Sequence, residues 1–118
     1  MAKILIAEDN FLNLKLMFDI LSSQGYTLDV VSDGEEALEK LKENNYDLFL
    51  LDLQMPKLSG FDVLTILKKD KNPTKTIVVS ACAMAEEIEK AKALGCADFI
   101  TKPIRLHDFL NVVKKNLG

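Results

Sequence analysis

The sequence predicts an α/β fold: five βα units wound into one parallel sheet with helices on both faces. Three observations carry the prediction. Short apolar runs alternate with helix-length amphipathic stretches along all 118 residues. Strict alternation of that kind implies a parallel sheet with right-handed crossovers. Three of the runs are apolar without a break, as strands buried on both faces must be.

In chain order, Ile4-Leu5-Ile6-Ala7 reads as the first strand. Over residues 11–24, Leu14, Met17, Phe18 and Leu21 recur at helical spacing, with Asn10 as N-cap and Gly25 as stop. Leu28, Val30 and Ser32 alternate with other types, as a weaker strand does. Ala37, Leu38 and Leu41 mark a helix over 34–44, and Leu48-Phe49-Leu50-Leu51 is the strongest strand. Val63, Leu64 and Leu67 place a third helix over about 60–69. Ile77-Val78-Val79 is the fourth strand, followed by a helix around 84–94 that Gly95 stops. Ala97 to Thr101 make a short fifth strand, and the last helix carries Leu106, Phe109, Leu110, Val113 and Leu117 on one face. The strong runs belong in the centre and the weak ones at the edges. The flavodoxin-like, doubly wound order 2-1-3-4-5 satisfies that division and puts a binding site at the carboxyl ends of the strands.

The length suits one domain with one core, so 1–118 is read as a single domain. A net charge of −3 disfavours non-specific nucleic-acid binding. No apolar run approaches the ~20 residues that span a bilayer, and the N-terminus lacks a signal peptide's apolar region. Cys82 and Cys96 make at most one bridge and read as reduced thiols in a cytoplasmic protein. His107 is the single histidine, which excludes a multi-histidine metal site.

The strand ends carry the chemistry. Strand one runs into Glu8-Asp9-Asn10, strand three into Asp52, strand four into Ser80-Ala81 and strand five into Lys102-Pro103. Any one of these carboxylates alone reads as a helix cap or a solvated loop residue, and Asn10 reads as a cap. Together they are different. Two carboxylates ~4 Å apart repel by roughly 4 kcal/mol at an effective dielectric of ~20. Three such groups need a cation among them. Hard oxygen donors without His or Cys select Mg2+, with Mn2+ able to stand in. Such a metal leaves room for a phosphoryl group, with Lys102 to neutralise an oxygen and Ser80 to donate to another. Relief of the like charge is expected to make Asp9→Ala more stable than the parent without metal.

Glu8-Asp9, the segment Asp52-Leu53-Gln54-Met55-Pro56 with Gly60, Ser80-Ala81 and Phe99-Ile100-Thr101-Lys102-Pro103 occur in this order at family spacing. On these pieces the whole chain resembles a bacterial two-component response-regulator receiver domain. Glu8-Asp9-Asn10 with Asn13-Leu14-Lys15-Leu16 resembles DivK-like single-domain receivers and receivers attached to hybrid kinases. The resemblance implies that Asp52 is the phosphoacceptor. Glu8, Asp9 and the Gln54 backbone carbonyl would join it around Mg2+. Lys102 would contact the phosphoryl group, Ser80 would be the switch hydroxyl, Phe99 the switch aromatic, and Lys102–Pro103 a cis peptide. Family members often have Thr and Tyr where Ser80 and Phe99 stand. Phe99 has no hydroxyl, so it should lie inward or mixed even before phosphorylation. Gln54 and Cys82 would tune the lifetime of the phosphate. The implied partners are a histidine kinase or histidine phosphotransfer protein, and a downstream protein. The latter would bind the face of the fourth helix, fifth strand and fifth helix through Ala91, Leu94, Ile100, Ile104, Lys92 and Arg105. No membrane and no direct nucleic-acid contact is expected.

Other functions fit less well. A haloacid-dehalogenase-type phosphatase wants a second Asp two residues after its nucleophile, and Gln54 stands there. A flavodoxin-like electron carrier cradles phosphate on amides after strand one, where Glu8-Asp9 would repel it. A constitutive docking module needs no metal ligands.

Overall fold

The computed structural model describes residues 2–81 and 84–118. The elements are β1 (Lys3–Ala7), α1 (Phe11–Ser22), β2 (Thr27–Val31), α2 (Gly34–Glu43), β3 (Leu48–Leu51), α3 (Gly60–Lys69), β4 (Thr76–Ser80), α4 (Ala85–Ala93), β5 (Asp98–Thr101) and α5 (Leu106–Leu117). All neighbouring strands pair in parallel, in the order β2-β1-β3-β4-β5. No helix among the described residues is long and apolar enough to cross a membrane.

Because side chains alternate along a strand, the sheet makes two cores. Ile4, Ile6, Leu48, Leu50, Ile77 and Val79 pack with Met17 and Leu21 of α1 and Phe109 and Val113 of α5. Leu5, Ala7, Phe49, Leu51 and Val78 pack with Ala37, Val63, Leu64 and Ala91 of the other three helices. Each fully buried aliphatic or aromatic side chain contributes ~2 kcal/mol of transfer free energy. Local signals agree with this packing. Asn10 caps α1 by accepting from Asn13 N, Asp33 caps α2, and Ser59 with Asp62 forms a reciprocal capping box on α3. Gly25 and Gly95, both at positive φ, follow α1 and α4.

The structure moves a few residues off their expected faces. Phe18 is 39% exposed, and Ile20 takes its place in the core. The flank of α1 that bears Phe18 lies over β2, the edge of the sheet, where no further strand supports it. On β2 itself Val31 is buried, whereas Val30 is exposed and Ser32 lies past the strand's end. In α5 the packed stripe is Phe109, Leu110, Val112, Val113 and Leu117, with Leu106 exposed in the first turn. Helix α4 buries only Ala91 and has no side-chain cap at its start. Two lysines tie it to α3. Lys68 Nζ donates to the Ala93 carbonyl at 2.9 Å, and Lys90 Nζ lies 4.3 Å from the centre of the Phe61 ring.

Candidate functional site

Backbone pairing continues one residue past the strands and sets the site residues level. Ala7 is in register with Leu51, and Asp52 N donates to the Ala7 carbonyl at 3.1 Å. Glu8 and Asp52 therefore leave adjacent central strands at the same height. Ser80 is in register with Thr101, and Lys102 N donates to the Ser80 carbonyl at 2.9 Å. Lys102 thus stands next along the row.

The side chains converge. Glu8, Asp9 and Asp52 each offer a carboxylate oxygen within 4.8 Å of the others. Lys102 Nζ lies 2.6 Å from Glu8 Oε1 and 3.4 Å from Asp52 Oδ2. Glu8 is wholly buried, Asp52 nearly so, and Asp9 is exposed. The Asn10 amide donates to Glu8 Oε2 at 3.2 Å, and the Gln54 amide donates to Asp52 Oδ1 at 3.1 Å. Glu8 Oε1 has the Lys102 ammonium as ionic partner but, among the described residues, no aligned hydrogen bond. Burial raises the Glu8 carboxyl from 4.5 to about 7, and the neighbouring Asp52 pushes in the same direction. Lys102 and the Asn10 amide oppose the rise without cancelling it.

A cavity of about 530 Å3 opens over this cluster, walled by Asp9, Asn10, Phe11, Gln54, Ala81 and Lys102 among others. A larger cavity of about 720 Å3 lies at the opposite end of the strands, lined by Asn44, Asp47, Asn72 and Lys75 among others. The chemistry is at the smaller one, because the buried carboxylates and the ammonium are there. The donor set fits Mg2+: three hard oxygens close together, one of them on a buried group whose hydrogen bonding is incomplete, and no nitrogen or sulfur ligand.

Ser80 is wholly buried at the end of β4. Phe99 is half-buried and packs against the α2–α3–α4 core. The Lys102–Pro103 peptide is cis. Cys82 lies outside the described residues. Cys96 is buried, and burial raises its thiol, in keeping with packing. His107 is exposed.

Two expected members of the output face are corrected. Ala91 is 0% and Ile100 8% exposed, because Ala91 faces the sheet from α4 and Ile100 points from β5 into the α1–α5 core. Leu94 and Ile104 remain half-exposed, and Lys92 and Arg105 exposed. A cavity of about 330 Å3, lined by Phe99, Arg105 and Asp108 among others, runs between β5 and α5.

The sequence reading missed a feature beside the site. Phe11 (71% exposed), Leu12 (74%), Leu16, Phe18 and Val30 make an exposed apolar patch on α1 and β2. Phe11 walls both the carboxylate cavity and an apolar groove with Leu14, Phe18 and Val30. The signal was present: Leu12 and Leu16 fall outside the Leu14–Met17–Phe18–Leu21 stripe, and Phe11 extends its Phe18 edge toward the strand end.

Comparison with known proteins agrees with this geometry. The response regulator receiver domain family matches residues 4–114. The polar-differentiation response regulator DivK of Brucella ovis is 38% identical over 117 residues, which cover 98% of this chain and 95% of that protein. Hybrid signal transduction histidine kinase B of Dictyostelium discoideum is 36% identical over 98% of this chain, which spans only 7% of that protein's length. Among solved structures is the receiver domain of a sensor histidine kinase from Pseudomonas aeruginosa, with a magnesium ion coordinated in its active-site cleft. It is 26% identical, with a TM-score of 0.91 over 99% of this chain and 98% of that one. Strand order, acidic cluster and likeness converge on one family: this chain belongs to the response regulator receiver domains, the phosphorylation-activated switches of two-component signalling.

Proposed function

We propose that Asp52 accepts the phosphoryl group, from a phosphohistidine on a kinase or phosphotransfer protein or from a small acyl phosphate. One observation carries the reading. Asp52 stands level with Glu8, Asp9 and Lys102 at the floor of one cavity. A carboxylate oxygen of Asp52 attacks phosphorus while the donor's P–N or P–O bond breaks. Aspartate is a weak nucleophile, so the rate comes from positioning and charge neutralisation. The Gln54 amide fixes Asp52 Oδ1, and Oδ2, which faces Lys102, would be the attacking oxygen. Glu8, Asp9, Asp52 and the Gln54 carbonyl would hold Mg2+, or Mn2+ in its place. When bound, the ion would neutralise the carboxylates and the oxygens in transfer. The chain thereby promotes its own phosphorylation and a slow self-dephosphorylation, in the cytoplasm. Incubation with labelled acetyl phosphate and mapping of the modified residue tests the reading; a label on any residue but Asp52 defeats it.

Lys102 now bridges Glu8 and Asp52. On phosphorylation its ammonium turns to the new phosphoryl oxygens, and Ser80 donates to another. Lys102→Ala should still be phosphorylated, but its partner binding should lose dependence on phosphorylation. Undiminished dependence would contradict the assignment. The output surface is the α4–β5–α5 face, with Leu94 and Ile104 supplying area and Lys92 and Arg105 orienting a protein partner rather than nucleic acid.

The donor docks on the α1 patch, because Phe11 joins that patch to the phosphoacceptor cavity. Phe11→Ala should slow transfer from a phosphorylated donor protein by roughly tenfold, the loss of about 1.4 kcal/mol expected of one interface anchor. Its rate with acetyl phosphate should stay near wild type. Equal slowing with both donors would argue against docking.

A further inference from the structure

The loop from β3 to α3 carries both Asp52 and the Gln54 backbone, and two glycines grip it. At its base, Gly60 N donates to the Leu53 carbonyl at 2.9 Å. A Cβ on Gly60 would stand 2.5 Å from the Asp52 carbonyl oxygen and 2.6 Å from Leu53 Cα, so the base has no room to give. The second grip comes from a different element. A Cβ on Gly34, the first residue of α2, would stand 2.7 Å from both Cβ and the carbonyl oxygen of Leu58. Beside it Asp33 Oδ2 pairs with Lys57 Nζ at 3.5 Å, while Asp33 Oδ1 accepts from Glu36 N at 2.9 Å. Lys57 is held at φ +69°, a conformation that non-glycine residues rarely adopt and that neighbouring contacts must sustain. Leu58 N donates to the Pro56 carbonyl at 2.8 Å, so a displacement at Leu58 passes back toward Gln54.

We infer that Asp33–Gly34 is a positioning element for the metal site. It holds the outer part of the loop, Lys57–Leu58, against α2 and so fixes the Gln54 backbone relative to Asp52. The inference rests on the Mg2+ reading above. None of the residues in this clamp is a ligand, yet the ligand geometry depends on them. Any side chain at position 34 must displace Leu58 backbone, and the base of the loop cannot absorb the movement.

The test is a calorimetric Mg2+ titration of the full chain carrying Gly34→Ala, beside thermal melts in chelator. Affinity should fall by roughly tenfold, as for loss of a residue that orients a metal ligand. A merely structural role would lower the melting temperature in chelator and leave the affinity of the folded protein unchanged, and that result overturns the inference. Lys57→Ala, on an exposed side chain, guards against misfolding of the first variant. It should weaken Mg2+ binding by about threefold at low salt and less at high salt. An unchanged affinity in Lys57→Ala overturns the inference as well. Failure of the wild type to bind Mg2+ would sink the metal reading and this inference with it. Wild-type binding with unaltered variants would sink the inference alone.

Discussion

Asp52→Asn is expected to abolish covalent phosphoryl uptake while leaving the fold intact. The substitution keeps the shape and keeps Oδ1 as acceptor for the Gln54 amide. It removes the negative charge and the nucleophile. An amide oxygen does not form a stable acyl phosphate, so label from acetyl phosphate should drop to background. The substitution also removes a negative charge from beside Glu8 and Asp9, a relief that offsets the lost attraction to Lys102. The metal-free variant should therefore melt no lower than the parent. Base-labile label at wild-type rate and stoichiometry in this variant would refute the role of Asp52.

Glu8 governs the second large effect, on stability against pH. In the metal-free protein its carboxyl is raised from 4.5 to about 7. Between those values the native state holds a proton that the unfolded chain has released. Stability from this group is thus fully present below about 4.5 and is lost as pH rises through about 7. The loss is on the order of 1–3 kcal/mol. Asp33 acts in the opposite sense: its lowered carboxyl contributes stability that is lost only as pH falls below 3.8. The two windows do not overlap. Glu8→Gln should remove the loss near neutrality, so the metal-free variant melts above the parent at about pH 8 by roughly 4 °C or more. Mg2+ should raise the wild-type melting temperature there and leave the variant's almost unmoved. Melting of the wild type in chelator that is flat from about pH 5 to about pH 8 would show the assignment to be wrong.

That second effect also shows where sequence reasoning stops. Strand ends can be located from apolar runs, so Glu8, Asp9, Asp52, Ser80 and Lys102 were all legible as one row. Their depth was not. The sequence does not tell that Glu8 is wholly buried while its neighbour Asp9 is exposed, because depth depends on how the loops pack over the end of β1. The pairing of Lys102 with Glu8 was equally hidden, since a lysine's reach lets it choose among several oxygens. The fold was legible almost throughout because alternation and caps are local signals. The misplaced residues Phe18, Val30 and Ile100 sit on α1 and on the two edge strands. An edge strand has a covered side and an open side, and period alone does not say which residue gets which. Ala91 has another cause: α4 has so short an apolar stripe that its inward face rests on one small side chain.

Helix α4 therefore resembles a lever pinned at its far end. Its carboxyl end is held by the Lys68 ammonium on the Ala93 carbonyl, and its second turn leans on Phe61 through Lys90. Its amino end, which follows the strand that carries Ser80, begins at Met84 with no side-chain cap. A disturbance at the site then has a long arm and a fixed fulcrum. Any displacement of the helix should then be greatest over its uncapped first turn and die away toward the held end near Leu94.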